Sequence, residues 1–188
     1  MSNIKEKIQN LADVYFQDTI TNRRHLHQHP ELSFEEYNTS AFIQQILRDL
    51  DIPFRLMAST GIVAEIKGDI PSDKVLALRA DMDALPITEV EGRTYGSLNP
   101  GVMHACGHDV HTSSLIAVAK LLNDLKGDLP GTIRFIFQPG EERLPGGASL
   151  MIKEGALKNP EPIGIVGQHV MPFLETGTVG FRSGKYMA

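Results

Sequence analysis

Residues 74–86 read KVLALRADMDALP, an apolar run followed by two aspartates, Asp81 and Asp83, with a single residue between them. A short run of this kind, bounded by Asp and Pro, is typical of a buried strand, here over 74–79. Similar runs predict strands over 132–137 and 163–166, and helical spacing predicts a helix over 111–125. Strands that alternate with helices of this size predict an α/β fold, with a mostly parallel mixed sheet and helices on both faces.

The N-terminal half adds two amphipathic helices and one more strand. Apolar residues at helical spacing predict a helix over 4–28, and a second helix that runs to about residue 50. The stretch Ser33-Phe-Glu-Glu36 has the form of a capping box. We therefore expect the Ser33 hydroxyl to accept a backbone N–H and Glu36 to reach back to the cap. A strand follows over 61–66, and a short helix over 148–156 precedes the last strand.

Composition indicates an ordinary globular chain. Its 188 residues are 41% hydrophobic and 22% charged, which is usual for a globular protein. The 18 Lys and Arg against 23 Asp and Glu give a net charge of −5, so we expect neither nucleic acid nor an anionic membrane as a partner. No stretch approaches the roughly 18 apolar residues of a membrane helix, and residues 1–10 are too polar for a signal peptide. A single cysteine suits a reducing compartment, so we expect a cytoplasmic protein.

Polar side chains follow each buried strand of the predicted sheet. Asp81 and Asp83 follow the strand at 74–79, Glu141 and Glu142 follow the strand at 132–137, and His169 follows the strand at 163–166. Cys106 and His108 lie just before the helix that begins near 111. Open α/β sheets bind ligands beyond the carboxyl ends of their strands. Carboxylate, imidazole and thiolate together are the ligands of a transition metal such as zinc or manganese. The sequence therefore predicts a metal site at this edge.

Two chemistries are open for these residues. In the first, one of the adjacent Glu141 and Glu142 binds metal, while the other takes a proton from a water whose pKa the metal lowers. In the second, Cys106 is a nucleophile activated by His108. We favour metal, because cysteine attack does not explain the acidic residues at the other strand ends.

Other histidines admit plainer interpretations. We interpret His25, His27 and His29 as surface or satisfied core residues, and His104 and His111 as possible partners that orient ligands. Asp109 has an equal claim to capping the helix and to a functional role.

Five stretches, in order, resemble the metal-dependent amidohydrolases of the aminoacylase and carboxypeptidase type, which include hippurate hydrolases and N-acetyl-diaminopimelate deacetylases. They are Arg24-His-Leu-His-Gln-His-Pro-Glu-Leu-Ser33, Arg79-Ala-Asp-Met-Asp-Ala-Leu-Pro86, Met103-His-Ala-Cys-Gly-His-Asp-Val-His111, Phe137-Gln-Pro-Gly-Glu-Glu142 and Gly167-Gln-His169.

The resemblance implies a zinc-exopeptidase-like catalytic domain with two divalent metal ions (Mn, Zn, Co or Ni). By motif position, the ligands would be Cys106, His108, Glu142 and His169. Glu141 would be the general base, and one of Asp81 and Asp83 would support the metal centre. The implied substrate is an N-acyl amino acid or a similar small amide, and the full-length relatives are expected to be homo-oligomers.

Relatives of this type are expected to be about twice as long. We therefore expect residues 1–188 to be the N-terminal part of the catalytic domain, without the lid or dimerisation domain that would begin near residues 181–188. The C-terminal return segment, with one further His ligand, would also be absent. Two alternatives remain: a non-catalytic metal-binding remnant of the fold, and a Cys-dependent hydrolase that uses Cys106.

Overall fold

The computed structural model describes residues 3–181 and 183–184. Four helices and five strands, joined by a short 3-10 turn (Lys126–Asp128), make up the described chain. In order they are α1 (Ile4–Gln28), α2 (Tyr37–Asp49), β1 (Phe54–Met57), β2 (Gly61–Lys67), β3 (Ile70–Asp81), α3 (His108–Asp124), β4 (Pro130–Gln138), α4 (Gly147–Lys153) and β5 (Gly164–Gly167). The stretch near 181–188, where a lid was expected to begin, lies mostly outside the described residues.

The five strands form one mixed sheet in the order β1-β2-β4-β3-β5. The pairs β3–β4 and β3–β5 are parallel, whereas β1–β2 and β2–β4 are antiparallel. The predicted mixed α/β class is confirmed, and the parallel pairs are those that carry the predicted polar residues. Strand β1 was not predicted, because its four residues at the sheet margin are too few to show a period.

Helices cover both faces of the sheet, as predicted. Alternate residues of the central strand β4 point to opposite faces: Phe135 and Phe137 lie in the larger core with α2 and α3, while Ile136 faces α4. All three are almost completely buried. In contrast, all four residues of β5 are exposed.

The predicted capping box at the start of α2 is wrong. The helix begins at Tyr37 with Glu36 as its N-cap residue, and the Glu36 side chain makes no capping hydrogen bond. The Glu31 carboxylate accepts from the free amides of Asn38 and Thr39 instead. The Ser33 hydroxyl donates instead to the Asp83 carboxylate at 2.6 Å. The Glu36 carboxylate points into the protein, where it accepts from Thr60 and Gly140. Partners distant in sequence have displaced the local capping interaction.

Helix α1 is the longest, with 25 residues, and only two of its side chains are buried. None of the helices in the described part of the chain has the length and apolar character that a membrane span requires.

Phe135→Ala should lower the free energy of unfolding by about 3–5 kcal/mol, because it opens a cavity in the centre of the larger core. Phe16→Ala is the matched control: Phe16 is 65% exposed, so its loss should change stability by less than about 0.5 kcal/mol. Urea unfolding followed by circular dichroism measures both values. Equal losses for the two variants would contradict the assignment of the core.

Candidate metal centre

The parallel strands deliver their terminal residues to one edge of the sheet. Asp81 ends β3 and pairs with Gln138, which ends β4. Asp83 follows β3, the Glu141–Glu142 pair follows β4, and His169 follows β5. The register therefore brings together carboxylates and an imidazole that lie far apart in sequence.

A turn just before α3 supplies two further donors. His108 is the first residue of the helix, and its N-cap, Gly107, has a left-handed φ of 85°. This conformation is readily available to glycine, and it turns the chain between Cys106 and His108. This turn brings the donor atoms of Cys106 and His108 to the same side, within 4.8 Å of each other.

His108 is the centre of the cluster. Its Nδ1 donates to the backbone carbonyl of Asp83 at 2.8 Å and lies 3.3 Å from that residue's Oδ1. Because the proton sits on Nδ1, the lone pair of Nε2 is free. Nε2 is buried and has no hydrogen-bond partner among the described residues.

Three carboxylates surround this free nitrogen. Oxygens of Asp81, Glu142 and Glu141 lie 3.7, 3.8 and 3.9 Å from His108 Nε2, which is too far for hydrogen bonds. Two nitrogen or oxygen ligands of one ion, each at about 2.1 Å, can be at most about 4.2 Å apart. The separations therefore fit atoms that share a cation.

Cys106 and His169 complete the donor set. Cys106 Sγ lies 3.3 Å from His169 Nε2, and His169 Nδ1 donates to the carbonyl of Val170 at 2.7 Å. His169, like His108, thus donates a hydrogen bond from Nδ1 to a backbone carbonyl, and its Nε2 faces the cluster. The donor atoms of Cys106, His108 and His169 all lie within 4.8 Å of one another, as do those of His108, Glu141 and Glu142.

The two aspartates have different partners, a point that the sequence left open. Asp83 contacts His108 and also accepts hydrogen bonds from the Ser33 hydroxyl and the Glu142 amide. Burial tends to raise the pKa of Asp83, but the hydrogen bonds from His108 and Ser33 lower it. Asp83 therefore links a predicted ligand on α3 to the loop after β4.

Asp81, which has an oxygen 3.7 Å from His108 Nε2, forms a possible metal-holding group with His108 and His111 and has further partners of its own. It accepts a 2.6 Å hydrogen bond from His111 Nδ1 and pairs with Arg79 at 2.7 Å. Burial tends to raise its pKa, but the His111 hydrogen bond and the charges of His108 and Arg79 lower it to about 2. His111 is held in turn by the Val170 amide, which donates to its Nε2 at 3.0 Å. His111 thus lies between Asp81 and the Val170 backbone, and its role as a partner that orients ligands stays a prediction.

The surroundings of Cys106 are acidic. Burial, followed by the hydrogen bond and charge of Glu142, raises the pKa of the thiol to about 12. The carboxylates keep the thiol protonated at neutral pH unless a cation offsets them. A divalent ion does so, since a coordinating thiol is deprotonated outright.

A second polar cluster lies beside the site and was missed by the sequence analysis. His27 Nδ1 lies 2.7 Å from Asp109 and its Nε2 lies 3.0 Å from Glu89, and Arg23 pairs with Asp109 at 2.9 Å. His27 is thus a satisfied core residue, while His25 and His29 are exposed. The capping interpretation of Asp109 is wrong, because its carboxylate faces α1 and the N-cap is Gly107.

His104 makes no hydrogen bond to a predicted ligand among the described residues. Its side chain is buried, and neither ring nitrogen has a hydrogen-bond partner in the described part of the chain, so its role as a partner that orients ligands stays a prediction. Burial lowers its pKa to about 4, so the ring is neutral at physiological pH.

A mixed α/β sheet with thiol, imidazole and carboxylate donors converging at its carboxyl edge has the features of a metal-dependent hydrolase. A model of the peptidase family M20/M25/M40 matches residues 77–186, and the chain belongs to this family. The predicted resemblance is confirmed.

Relatives support the same assignment. The chain is 43% identical to an N-acyl-L-amino acid amidohydrolase of Geobacillus stearothermophilus, over 98% of this chain and 49% of that protein. It is 45% identical to an N-acetylcysteine deacetylase of Bacillus subtilis, over 95% and 47%. A crystal structure of a Bacillus subtilis protein, described as a dinuclear metal binding peptidase of the M20 family, superposes with a TM-score of 0.85 at 43% identity, over 92% and 47%. The chain thus spans about half the length of the relatives that it matches.

The buried His27 cluster should make stability depend on pH. The hydrogen bond to Asp109 is the main cause that raises the pKa of His27, with a contribution from Glu89. A raised folded pKa stabilises the protein fully below the unfolded value of about 6.5, and this stabilisation is lost as pH rises through the folded value. The free energy of unfolding should therefore fall as pH rises above about 6.5.

His27→Gln should flatten this decline, whereas His29→Gln, at an exposed position, should retain it. Urea unfolding at several pH values between about 6 and 9 measures the slopes. The same slope in the parent and the His27→Gln variant would refute the assignment.

Proposed function

We propose that the protein hydrolyses the amide bond of N-acyl amino acids or similar small amides, with two divalent metal ions as cofactors. The observation that carries the proposal is the convergence of the donor atoms of the four predicted ligands, with Cys106, His169 and Glu142 close to the unpartnered Nε2 of His108. Relatives named as an amidohydrolase and a deacetylase of N-acyl amino acids support the substrate class.

The ligands in this proposal are Cys106, His108, Glu142 and His169. Asp83 orients His108 through its Nδ1 side, and such carboxylate partners fix a ligand's tautomer and raise its basicity. Asp81 supports the centre from beside it: it accepts from His111, pairs with Arg79 and places negative charge 3.7 Å from His108 Nε2. The bound ions would polarise the amide carbonyl and make a water molecule more acidic. The thiolate, imidazole and carboxylate donors suit Mn, Zn, Co or Ni.

Glu141 is the proposed general base. Its carboxylate faces His108 Nε2 at 3.9 Å and its side chain is 42% exposed, so it reaches both the cluster and solvent. It would take a proton from the attacking water and give it to the leaving amine nitrogen. That transfer balances the reaction, which yields a carboxylate and a free amine.

We further propose that residues 1–188 correspond to the N-terminal part of such a catalytic domain, since they match almost end to end with about half of each relative. The proposal includes a cytoplasmic location, because the one free cysteine suits a reducing compartment. Hydrolysis by Cys106 as a nucleophile is less well supported, since it requires a thiolate that the neighbouring carboxylates disfavour.

Metal analysis and an N-acyl amino acid assay together test the proposal. The parent chain, supplied with Mn²⁺ or Zn²⁺, should bind metal near stoichiometrically, and Cys106→Ala and Glu142→Ala should lose it. Glu141→Gln should keep the metal but lower turnover by about 10²–10⁴-fold, because it removes only the base.

Glu161→Ala, an exposed acid in the loop before β5, is the control and should change neither quantity. Metal retained in the Glu142→Ala variant would remove Glu142 from the ligand set, and unchanged turnover in Glu141→Gln would exclude it as the base. Stoichiometric metal without turnover would favour the non-catalytic alternative. Turnover that resists chelators and is lost in Cys106→Ser would favour the cysteine mechanism.

A further inference from the structure

Glu36 is a buried carboxylate that the proposed mechanism does not use. Its relative exposure is 0%, although charged residues are almost never fully buried unless they are paired. Within the described chain, no cationic side chain lies within ion-pair distance of it. Burial raises its pKa, and the hydrogen bonds that it accepts oppose the shift. Burial of a carboxylate without a cationic partner is unfavourable, so the hydrogen bonds that Glu36 accepts must offset that cost.

Three donors satisfy this carboxylate. Oε1 accepts from the backbone amides of Phe34, at 2.9 Å, and Gly140, at 2.7 Å. Oε2 accepts from the Thr60 hydroxyl at 2.6 Å. Glu36 thus joins three separate segments of the chain, and one of them is the turn immediately before Glu141 and Glu142.

The turn around Gly140 is fixed on several sides. Gly140 has a φ of 53°, and a Cβ atom there would lie 2.4 Å from the Phe34 ring, so the ring packs directly on the backbone. The Gly140 carbonyl accepts from the Gly147 amide at 2.9 Å. Two residues further on, the Glu142 amide donates to Asp83 at 2.9 Å. Glu36 is therefore one of two buried carboxylates that hold the backbone of this loop.

We infer that Glu36 is a positioning residue, which fixes the loop carrying Glu141 and Glu142 at the distance from His108 that metal binding requires. The inference rests on the proposed function. Glu36 touches neither the donor atoms nor the reacting groups, so it acts through the Gly140 backbone. What matters is an acceptor oxygen at the reach of a glutamate side chain, rather than the negative charge.

This reasoning separates two conservative variants. Glu36→Gln keeps the reach and an acceptor for Phe34 and Gly140, and the Thr60 hydroxyl can rotate to accept from the new amide. Glu36→Asp keeps the charge but is one methylene shorter, so it cannot span all three donors. Glu36→Ala removes the contacts altogether.

Glu31→Ala is the matched control. Glu31 is a nearby carboxylate that also accepts three hydrogen bonds, from the Asn38 amide and side chain and from the Thr39 amide. Its loss weakens the start of α2 but removes no hydrogen bond to the loop 139–142. It therefore reports the effect of a comparable destabilisation alone.

The experiment measures Mn²⁺ affinity by calorimetric titration, and hydrogen exchange of the Glu142 amide in the metal-free chain. Glu36→Ala and Glu36→Asp should weaken Mn²⁺ binding about 10–100-fold, as loss of an outer-shell partner does. They should also speed exchange of the Glu142 amide about tenfold. Glu36→Gln and Glu31→Ala should resemble the parent in both readouts.

Parent-like affinity and exchange in Glu36→Ala would overturn the inference, as would equal losses in Glu31→Ala. If Glu36→Ala does not fold, the comparison of Glu36→Asp with Glu36→Gln decides, and equal behaviour of those two would refute the role of reach. A parent chain that binds no Mn²⁺ would count against the proposed function, and exchange at Glu142 would then decide the role of Glu36 by itself.

Discussion

The parallel pairing of β3 with β4 is the constraint on which the site depends. It places Asp81 opposite Gln138, so the residues just beyond both strands leave the sheet at the same level. The aspartates that follow β3 and the glutamates that follow β4 then meet around one imidazole. A slip of one residue would turn the side chains of β4 to the opposite faces of the sheet, and would take Phe135 and Phe137 out of the larger core and into the smaller one beneath α4. The burial of these two rings thus also fixes the position of the carboxylates.

The charges of the cluster are consistent with a site for a cation. Burial, and then the hydrogen bond and charge of Glu142, raise the pKa of the Cys106 thiol; burial lowers the pKa of His108, but its hydrogen bond to Asp83 and the charges of Asp81 and Asp83 raise it overall. A thiol must lose its proton and an imidazole must be neutral before either can bind a metal ion. Metal binding therefore competes with protonation at the same atoms, and the affinity should fall as the solution becomes more acidic.

Features that depend on neighbouring residues could be predicted from the sequence, whereas contacts between residues far apart in sequence could not. The strands over 74–79 and 132–137 were predictable because apolar runs followed by polar turns are local patterns, and the site followed from where such strands end. The predicted capping box at Ser33 and Glu36 was wrong, because the same spacing of a serine and a glutamate also occurs where the glutamate side chain turns into the protein. Only the fold shows that Gly140, 104 residues away, competes for Glu36. The pairing of His27 with Asp109 was hidden for the same reason.

The exposure of β5 has a consequence for how ligand occupancy and local order are linked. This strand pairs with β3 alone among the described strands, and its four residues are exposed, so little apolar burial holds it. Yet His169, just beyond it, lies 3.3 Å from Cys106 on the turn that leads into α3. An ion shared by these two donors would act as a cross-link between the sheet margin and the core. If the free ion were at a hundred times its dissociation constant, its binding would stabilise the arrangement in which His169 faces Cys106 by about 2.7 kcal/mol. Strand β5, which buries the least apolar surface, would then be held in place mainly by metal coordination.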